Sequence, residues 1–514
     1  MKKTYYDVII IGTGAGGGTL AHELASTGKK ILLLERGGYL PREKDNWSSK
    51  AVFVEGKYRA KEPWIDKEGK AFHPGIHYYV GGNTKVYGAA LLRMRERDFS
   101  SIEHHGGISP AWPISYTDMA PYYLKAEKLF HVHGLRRADP TEPYCADPYP
   151  YPAVKHEPKI QKLFDDLTKI GHHPFPLPLG LLLDEEHRHN SPCIKCNTCD
   201  GFPCLVDAKA DAHVCCVNPA LQFPNVTLLT HSYVEKIETS ASGKEVTTVI
   251  VDREGAKESY EGGLIVVSCG AINSAALLLR SANAKHPMGL ANSSGVVGRF
   301  YMCHNNSAMI ALSLDLNPTS FQKTIGINDY YFGADDWKYP LGHIQMLGKS
   351  DKEMFKADAT PLAPGFLLEA MAKHSIDFWM TTEDLPDPHN RVTLTANKNI
   401  QLSYTENNTE SHKQLIKKLR QMLTKVGIKH HAFPSSAYLG KKIPLAGTAH
   451  QSGTVRFGKD PTSSALDPFC KAHDLDNLYV VDAGCFVSSS SVNPSLTIIA
   501  NALRVADHLK ERLK

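Results

Sequence analysis

The chain has 514 residues, with 58 Lys+Arg against 54 Asp+Glu, and a formal charge of +4 leaves no electrostatic footprint for a nucleic-acid partner. Its 42% hydrophobic content is ordinary for a globular protein, and apolar runs such as Val8–Ile11, Ile31–Leu34 and Leu264–Val267 are far too short to span a bilayer. The length allows a large core and more than one domain, and a first strand almost at the N-terminus leaves no room for a signal peptide; the expected location is cytoplasmic, with co-export on a partner subunit left open.

Val8–Ile11 reads as a buried parallel strand that runs into a glycine cluster. Gly12, Gly14 and Gly17 fit G-x-G-x-x-G, with Ala15 and Gly16 between them. The first glycine permits a tight turn, the second lets backbone approach a pyrophosphate, and the third lets helix pack on strand. Thr19 to Thr27 is expected to form a short helix whose N-terminal N–H groups face the phosphates. Ile31–Leu34 reads as a second strand ending in Glu35, where an acid accepts hydrogen bonds from ribose hydroxyls. A lone glycine fingerprint is weak. Strand, helix, second strand and acid in order mark a dinucleotide site, which FAD and NAD satisfy equally.

Residues 40–75 are irregular and read as a surface excursion. In His77–Gly88 the pair Gly81-Gly82 permits close backbone approach, or simply a turn. Between Ile114 and Phe130 lies an amphipathic helix with Tyr122, Tyr123, Ala126 and Leu129 near one face. Six of the eleven cysteines fall between Cys193 and Cys216, and the odd total does not suggest an extracellular disulfide framework. Short strands are expected at 225–230, 233–238 and 246–252. Leu264 onward repeats the strand, glycine turn and helix of the N-terminus, so the nucleotide domain is discontinuous. In His412–Gly427, Leu415, Ile416, Leu419, Met422, Leu423 and Val426 make one apolar stripe, a core face. Asn477–Asp482 reads as a strand, and Asn493 as the N-cap of a last helix with Pro494 in its first turn.

These pieces, in this order, resemble the glucose–methanol–choline (GMC) family of FAD-dependent oxidoreductases over nearly the whole length. Gly12–Gly17 with Glu35 matches the family's ADP site, and Gly81-Gly82-Asn83-Thr84-Lys85-Val86-Tyr87-Gly88 with Arg93 looks like its first signature. Gly270-Ala-Ile-Asn-Ser with Leu277-Leu278 and Ser281 looks like the second, while His450-Gln-Ser-Gly-Thr and Val492-Asn-Pro-Ser-Leu-Thr resemble its catalytic segments. Five ordered matches favour FAD over NAD. Within the family the pattern is most similar to pyranose oxidases and bacterial glucoside 3-dehydrogenases. Three positions depart from it: Tyr87 replaces a common Asn; Val86 stands where some members attach FAD to a histidine, which implies non-covalent FAD; and Ala275 replaces a proline, which implies an altered helix start.

The resemblance implies an α/β fold: a discontinuous Rossmann-like FAD-binding domain (1–45, 76–100, 218–305, 446–514) and an α+β substrate domain on an antiparallel sheet (101–217, 306–445), with a Cys-rich insert at 193–216. It implies His450 as the base, a task suited to an imidazole titrating near neutrality, and Asn493 hydrogen-bonding the same substrate hydroxyl. Asp482 and Ala483 become flavin contacts, Val234 meets the adenine through its backbone, and the last helix directs its positive end at the flavin pyrimidine. The expected reaction is oxidation of a secondary ring hydroxyl of a sugar or glycoside to a ketone, C3 in preference to C2.

Cys193-x2-Cys196-x2-Cys199-x4-Cys204, with Pro203 before the last, has the tight thiolate spacing that iron–sulfur clusters take. Structural zinc usually takes two separated pairs, and a loop of free thiols is the metal-free alternative. Some glucoside dehydrogenases of the family carry a [3Fe–4S] cluster in such an insert. A cluster beside the flavin would relay electrons to a small subunit or cytochrome and make the protein a dehydrogenase rather than an oxidase. Two alternatives stand: a sterol or long-chain alcohol oxidase, whose relatives have similar inserts ending in Ala-Lys like Ala208-Lys209, and an electron-transfer subunit without its own substrate.

Overall fold

The computed structural model describes residues 4–358, 364–428, 441–442 and 445–514, so residues 359–363, 429–440 and 443–444 of the expected substrate domain lie outside the described residues. Strand β1 (Thr4–Ile11) leads through the glycine turn into helix α1 (Ala15–Ala25) and strand β2 (Ile31–Leu34). The chain returns to the same sheet with β3 (Val226–Leu229), β4 (Ser232–Thr239), β5 (Val246–Arg253) and β6 (Ala256–Val267), which turns at Gly270 into α2 (Ala271–Arg280). The order is β3-β2-β1-β6, with the far side of β6 shared between β5 and the last strand, Leu478–Val480. Strands β1, β2, β3, β6 and the last strand are parallel neighbours, and the apolar runs of β1, β2, β6 and the last strand are buried on both faces as parallel strands require, while the edge strand β3 is half-buried.

The register fixes where a ligand can sit. Ile11 is level with Leu34 and Val267, and Val267 with Val480. The residues that follow each strand (Gly12, Glu35, Gly270 and Asp482) therefore emerge together at one carboxyl edge, where open α/β sheets bind ligands.

A second sheet is antiparallel throughout: β7 (Asn305–Leu312), β8 (Ile325–Ile327), β9 (His343–Met346) and β10 (Ser375–Thr382), in the order β7-β10-β9-β8 and continuing to Pro174–Pro176. Helix α3 (Thr409–Lys425) and the helix Pro158–Lys169 pack against it. Leu415, Leu419, Met422 and Leu423 are buried against Met309, Ile344, Phe378 and Met380, while Ile416 and Val426 lie at the margin of that core. The α/β fold with a Rossmann-like sheet and an α+β part matches the expectation.

Four local expectations change. Helix α1 starts at Ala15, not Thr19, because its first turn is built from glycines that pack against neighbouring backbone. Residues 40–75 are not a loose excursion: Trp64–Asp66 pairs with Ala71–Phe72 and with Ile400–Ser403, and Trp64 is fully buried. Ala275 lies in the middle of α2 rather than at its start. The C-terminal helix, Ser495–Arg512, has Pro494 as its N-cap, so Asn493 lies one residue outside. No helix among the described residues is long and apolar enough to cross a membrane.

Candidate active site

Each glycine of the first turn has a separate steric reason. Gly12 has φ of 97°, and a Cβ there would stand 2.3 Å from the Ser268 carbonyl oxygen. At Gly16 and Gly17 a Cβ would lie 2.0 Å from the carbonyl oxygens of Val481 and Gly12. At Gly14, the N-cap of α1, a Cβ would meet nothing within 4 Å. Gly14 therefore faces open space at the positive end of an eleven-residue helix, the setting for a phosphate. Gly82 closes one side, since its Cβ would approach Gly14 Cα to 3.1 Å, and Gly81 N–H donates to Thr13 Oγ1 at 3.1 Å. Asn83 Oδ1 accepts from His77 N–H at 2.9 Å, which fixes the turn.

Glu35 is buried and accepts from Thr13 Oγ1 (2.5 Å), Thr13 N–H (3.1 Å) and Gly37 N–H (3.0 Å); desolvation holds its pKa above the ordinary carboxylate value. Val234 pairs with Val251 at an irregularity of β4, after which the register shifts and Lys236 pairs with Ile250. The Asp482 carboxylate accepts from Ser274 Oγ (2.5 Å), Gly270 N–H (3.0 Å) and Gly484 N–H (2.7 Å). It ties the start of α2 to the turn at Ala483. An open glycine cradle at a helix N-terminus beside a buried acid fits the ADP half of FAD. Tyr87 donates its hydroxyl hydrogen to the Ala210 carbonyl and so holds the first signature against the segment following the cysteines.

His450 is carried to the same edge by backbone pairing. Ser452 exchanges hydrogen bonds with Met302 (3.0 and 2.9 Å), Gly453 N–H donates to Ala483 O (3.0 Å), and Thr454 Oγ1 donates to Ala271 O (2.6 Å). His450 Nδ1 lies 3.0 Å from His304 Nδ1, with the rings at 80°. Desolvation, and then the neighbouring His304 and His343, push His450 well below the usual histidine pKa, so it is neutral at pH 7. Asn493 does not cap the final helix; its buried Oδ1 has no hydrogen-bond partner among the described residues. A buried amide oxygen left unpaired is unfavourable by roughly 1–3 kcal/mol, which a ligand hydroxyl can relieve.

His304, Asp384 and Ser489 were not legible as site residues. His304 is one of 25 histidines and stands in no recognisable motif. Asp384, two residues beyond β10, accepts from the backbone N–H groups of Cys303 and His304, both at 2.9 Å.

The cysteine insert departs from expectation. Among the described residues no three His, Cys, Asp or Glu side chains converge as a metal site, so Cys193, Cys196, Cys199 and Cys204 are not gathered around an ion. Burial raises the Cys193 thiol to about 12 and also lifts Cys199, so both are neutral thiols at pH 7. Cys196 accepts from Thr198 Oγ1 at 3.4 Å, and Cys204 accepts from Ala208 N–H at 3.3 Å. The loop is held instead by two buried lysines. Lys209 Nζ donates to the Cys199 and Phe202 carbonyls, both at 2.8 Å, and Lys323 pairs with Asp200 and donates to Gly88 O. The residues present do not fit a cluster.

Comparison with known proteins completes the assignment. Two family models described as GMC oxidoreductase match residues 179–305 and 386–502. Paromamine 6'-oxidase of Streptomyces fradiae is 29% identical over 531 residues, covering 98% of this chain and 90% of that protein. The fructose dehydrogenase large subunit of Gluconobacter japonicus is 24% identical, covering 99% and 98%. A formate oxidase of Aspergillus oryzae RIB40, solved in connection with FAD modification, superposes with a TM-score of 0.68 at 14% identity, covering 100% of this chain and 99% of that one. The glycine cradle, the acid of β2 and the histidine carried to the strand ends thus occur in a chain that belongs to the GMC oxidoreductase family, FAD-dependent enzymes acting on CH–OH groups.

Proposed function

We propose that this enzyme oxidises a secondary ring hydroxyl of a sugar or glycoside to the ketone, at C3 in preference to C2. The observation that carries the reading is a neutral imidazole, His450, stitched to the carboxyl edge where the cofactor cradle opens. Neutral His450 removes the hydroxyl proton, and the Asn493 amide, unpaired at Oδ1, bonds the same hydroxyl and fixes its direction. FAD, when bound, accepts the hydride from the carbinol carbon. The two losses balance: one proton to His450, one hydride to the cofactor, and a carbonyl as product.

A second reading concerns a primary hydroxyl, the 6' position of an aminosugar. The similarity to paromamine 6'-oxidase along nearly the whole chain favours it. Anaerobic flavin spectra with glucose, simple glucosides and paromamine separate the two, with the oxidised carbon read from the product. Bleaching by sterols or fatty alcohols but by no sugar would defeat both. His450→Ala is expected to slow flavin reduction by about 10²–10⁴-fold, the usual share of a general base, with FAD still bound. Reduction at the wild-type rate would show that His450 is not the base.

A further inference from the structure

We propose that His304 is a positioning residue that decides which nitrogen of His450 is left unprotonated to accept the substrate proton; the inference rests on His450 being the base. The argument runs along one chain of hydrogen bonds. His304 Nε2 lies 3.2 Å from the Ser489 carbonyl oxygen, and a carbonyl can only accept. That oxygen is not free to turn away, because its neighbours are pinned: Ser488 Oγ accepts from Trp112 Nε1 (2.8 Å), and Ser490 N–H donates to Glu383 (3.2 Å). His304 Nε2 therefore carries the hydrogen. His304 is buried, and desolvation lowers its pKa, so its other nitrogen, Nδ1, offers a lone pair. His450 Nδ1, 3.0 Å away, must then be the donor. What remains on His450 is an unprotonated Nε2, the nitrogen a base needs. Without His304 the imidazole could equally hold its hydrogen on Nε2, where it can take no proton from an alcohol.

His304 is itself built into place. Its backbone is in the left-handed region, φ of 64°, unusual for a non-glycine residue. The Asp384 carboxylate clamps that turn by accepting from the N–H groups of Cys303 and His304, and Asp384 is held in turn by the Tyr404 hydroxyl at 3.0 Å. Strained backbone braced by a buried acid is the pattern of a side chain whose direction matters. The arrangement parallels metal and triad histidines, in which the partner of one ring nitrogen sets the tautomer at the other.

The test is anaerobic flavin reduction by a sugar that the wild type oxidises, in holoenzymes of the wild type, His304→Ala, His304→Gln and His450→Ala. His304→Ala is expected to lower the limiting reduction rate about 10²-fold, the scale of a misaligned reacting group, while the sugar concentration for half-maximal rate changes less than about threefold. His304→Gln retains an acceptor for His450 Nδ1–H and should recover at least about tenfold of that loss. A limiting rate for His304→Ala within about threefold of the wild type, with His450→Ala slow, overturns the positioning role alone. Equal losses in His304→Ala and His304→Gln overturn it too, because the acceptor would then not be what matters. A fast His450→Ala refutes the base itself. Should His304→Ala fail to retain FAD, His304→Gln decides: a rate within about tenfold of the wild type supports the role, and a 10²-fold loss overturns it.

Discussion

Two alanine substitutions three residues apart should fail in opposite ways. Gly17→Ala places a Cβ 2.0 Å from the Gly12 carbonyl oxygen and 3.2 Å from the Ile10 side chain, against 3.4 Å for the onset of ordinary contact. The nearest obstacle is backbone on the tight turn, so α1 must lift off β1. Overpacking of this kind costs about 1–3 kcal/mol or more, while replacing a helical glycine returns up to about 1 kcal/mol. We expect a net loss of roughly 2 kcal/mol in urea unfolding of the apoprotein. Gly14→Ala meets nothing within 4 Å and keeps an ordinary φ of −70°, so the apoprotein should lose less than about 0.5 kcal/mol. The same methyl occupies the space left for a pyrophosphate and should weaken FAD by at least tenfold, about 1.4 kcal/mol, in a flavin-fluorescence titration. Unchanged FAD affinity in Gly14→Ala would refute the cradle. Unchanged apoprotein stability in Gly17→Ala would refute the close-packing argument for the third glycine.

Lys323→Met removes the cation from a pair in which Lys323 is 1% exposed and leaves Asp200 beside Gly88 without its counterion. A loss of about 3 kcal/mol of unfolding free energy, read as a lower urea midpoint, with faster reaction of Cys199 toward a thiol reagent, is expected; slow thiols and an unchanged midpoint would show that the lysine does not hold the insert. Asp98, buried and near Glu383, has its carboxyl pushed up to about 7, chiefly by desolvation. The folded protein keeps that proton up to about pH 7, whereas the unfolded chain releases it near the ordinary aspartate value of 3.8. Stability from this group is therefore full below the unfolded value, declines between the two, and is lost above about 7. Asp98→Asn should gain on the wild type as pH rises through that window, by at most roughly 4 kcal/mol. Parallel pH–stability curves for the two proteins would refute the raised carboxyl.

The nucleotide half was legible because its physics is local. Parallel strands buried on both faces read as unbroken apolar runs, Val8–Ile11, Ile31–Leu34 and Leu264–Val267, and the glycine spacing between strand and helix is steric. The stripe of α3 was legible for the same reason, as a 3.6-residue period. Where α1 begins was not: glycine's poor helix propensity argued for a start at Thr19, and close packing on Val481 and Gly12 overrode it. Asn493 read as a cap because its residue type and the following Pro494 both suit one, yet Pro494 takes that position and leaves the amide unpaired. The cysteine insert misled for a different reason. Spacing along the chain gives the number of thiols but not their directions, and the lysine that fixes Asp200 comes from Lys323, more than a hundred residues away.

The four serines preceding Val492 and Asn493 explain how the two sheets share one site. All four are buried, and successive residues are held by different parts of the chain: Ser488 by Trp112, Ser489 by His304 and Asp384, Ser490 by Glu383, and Ser491 by Tyr331 and Thr381. Glu383 and Asp384 follow β10 directly, and His304 immediately precedes β7, so these anchors belong to the antiparallel sheet. The serine loop itself follows Asp482 and Ala483, which belong to the carboxyl edge of the parallel sheet. Hydride transfer needs the substrate carbon fixed against the cofactor, while proton removal needs the hydroxyl fixed against His450, and the two must hold at once. A loop attached at one end to the cofactor sheet, and bonded along its length to residues that orient His304, makes these a single geometric condition. It also accounts for so many buried polar groups in a segment that an apolar sequence could have filled: each hydrogen bond fixes a direction, which dispersion contacts do not.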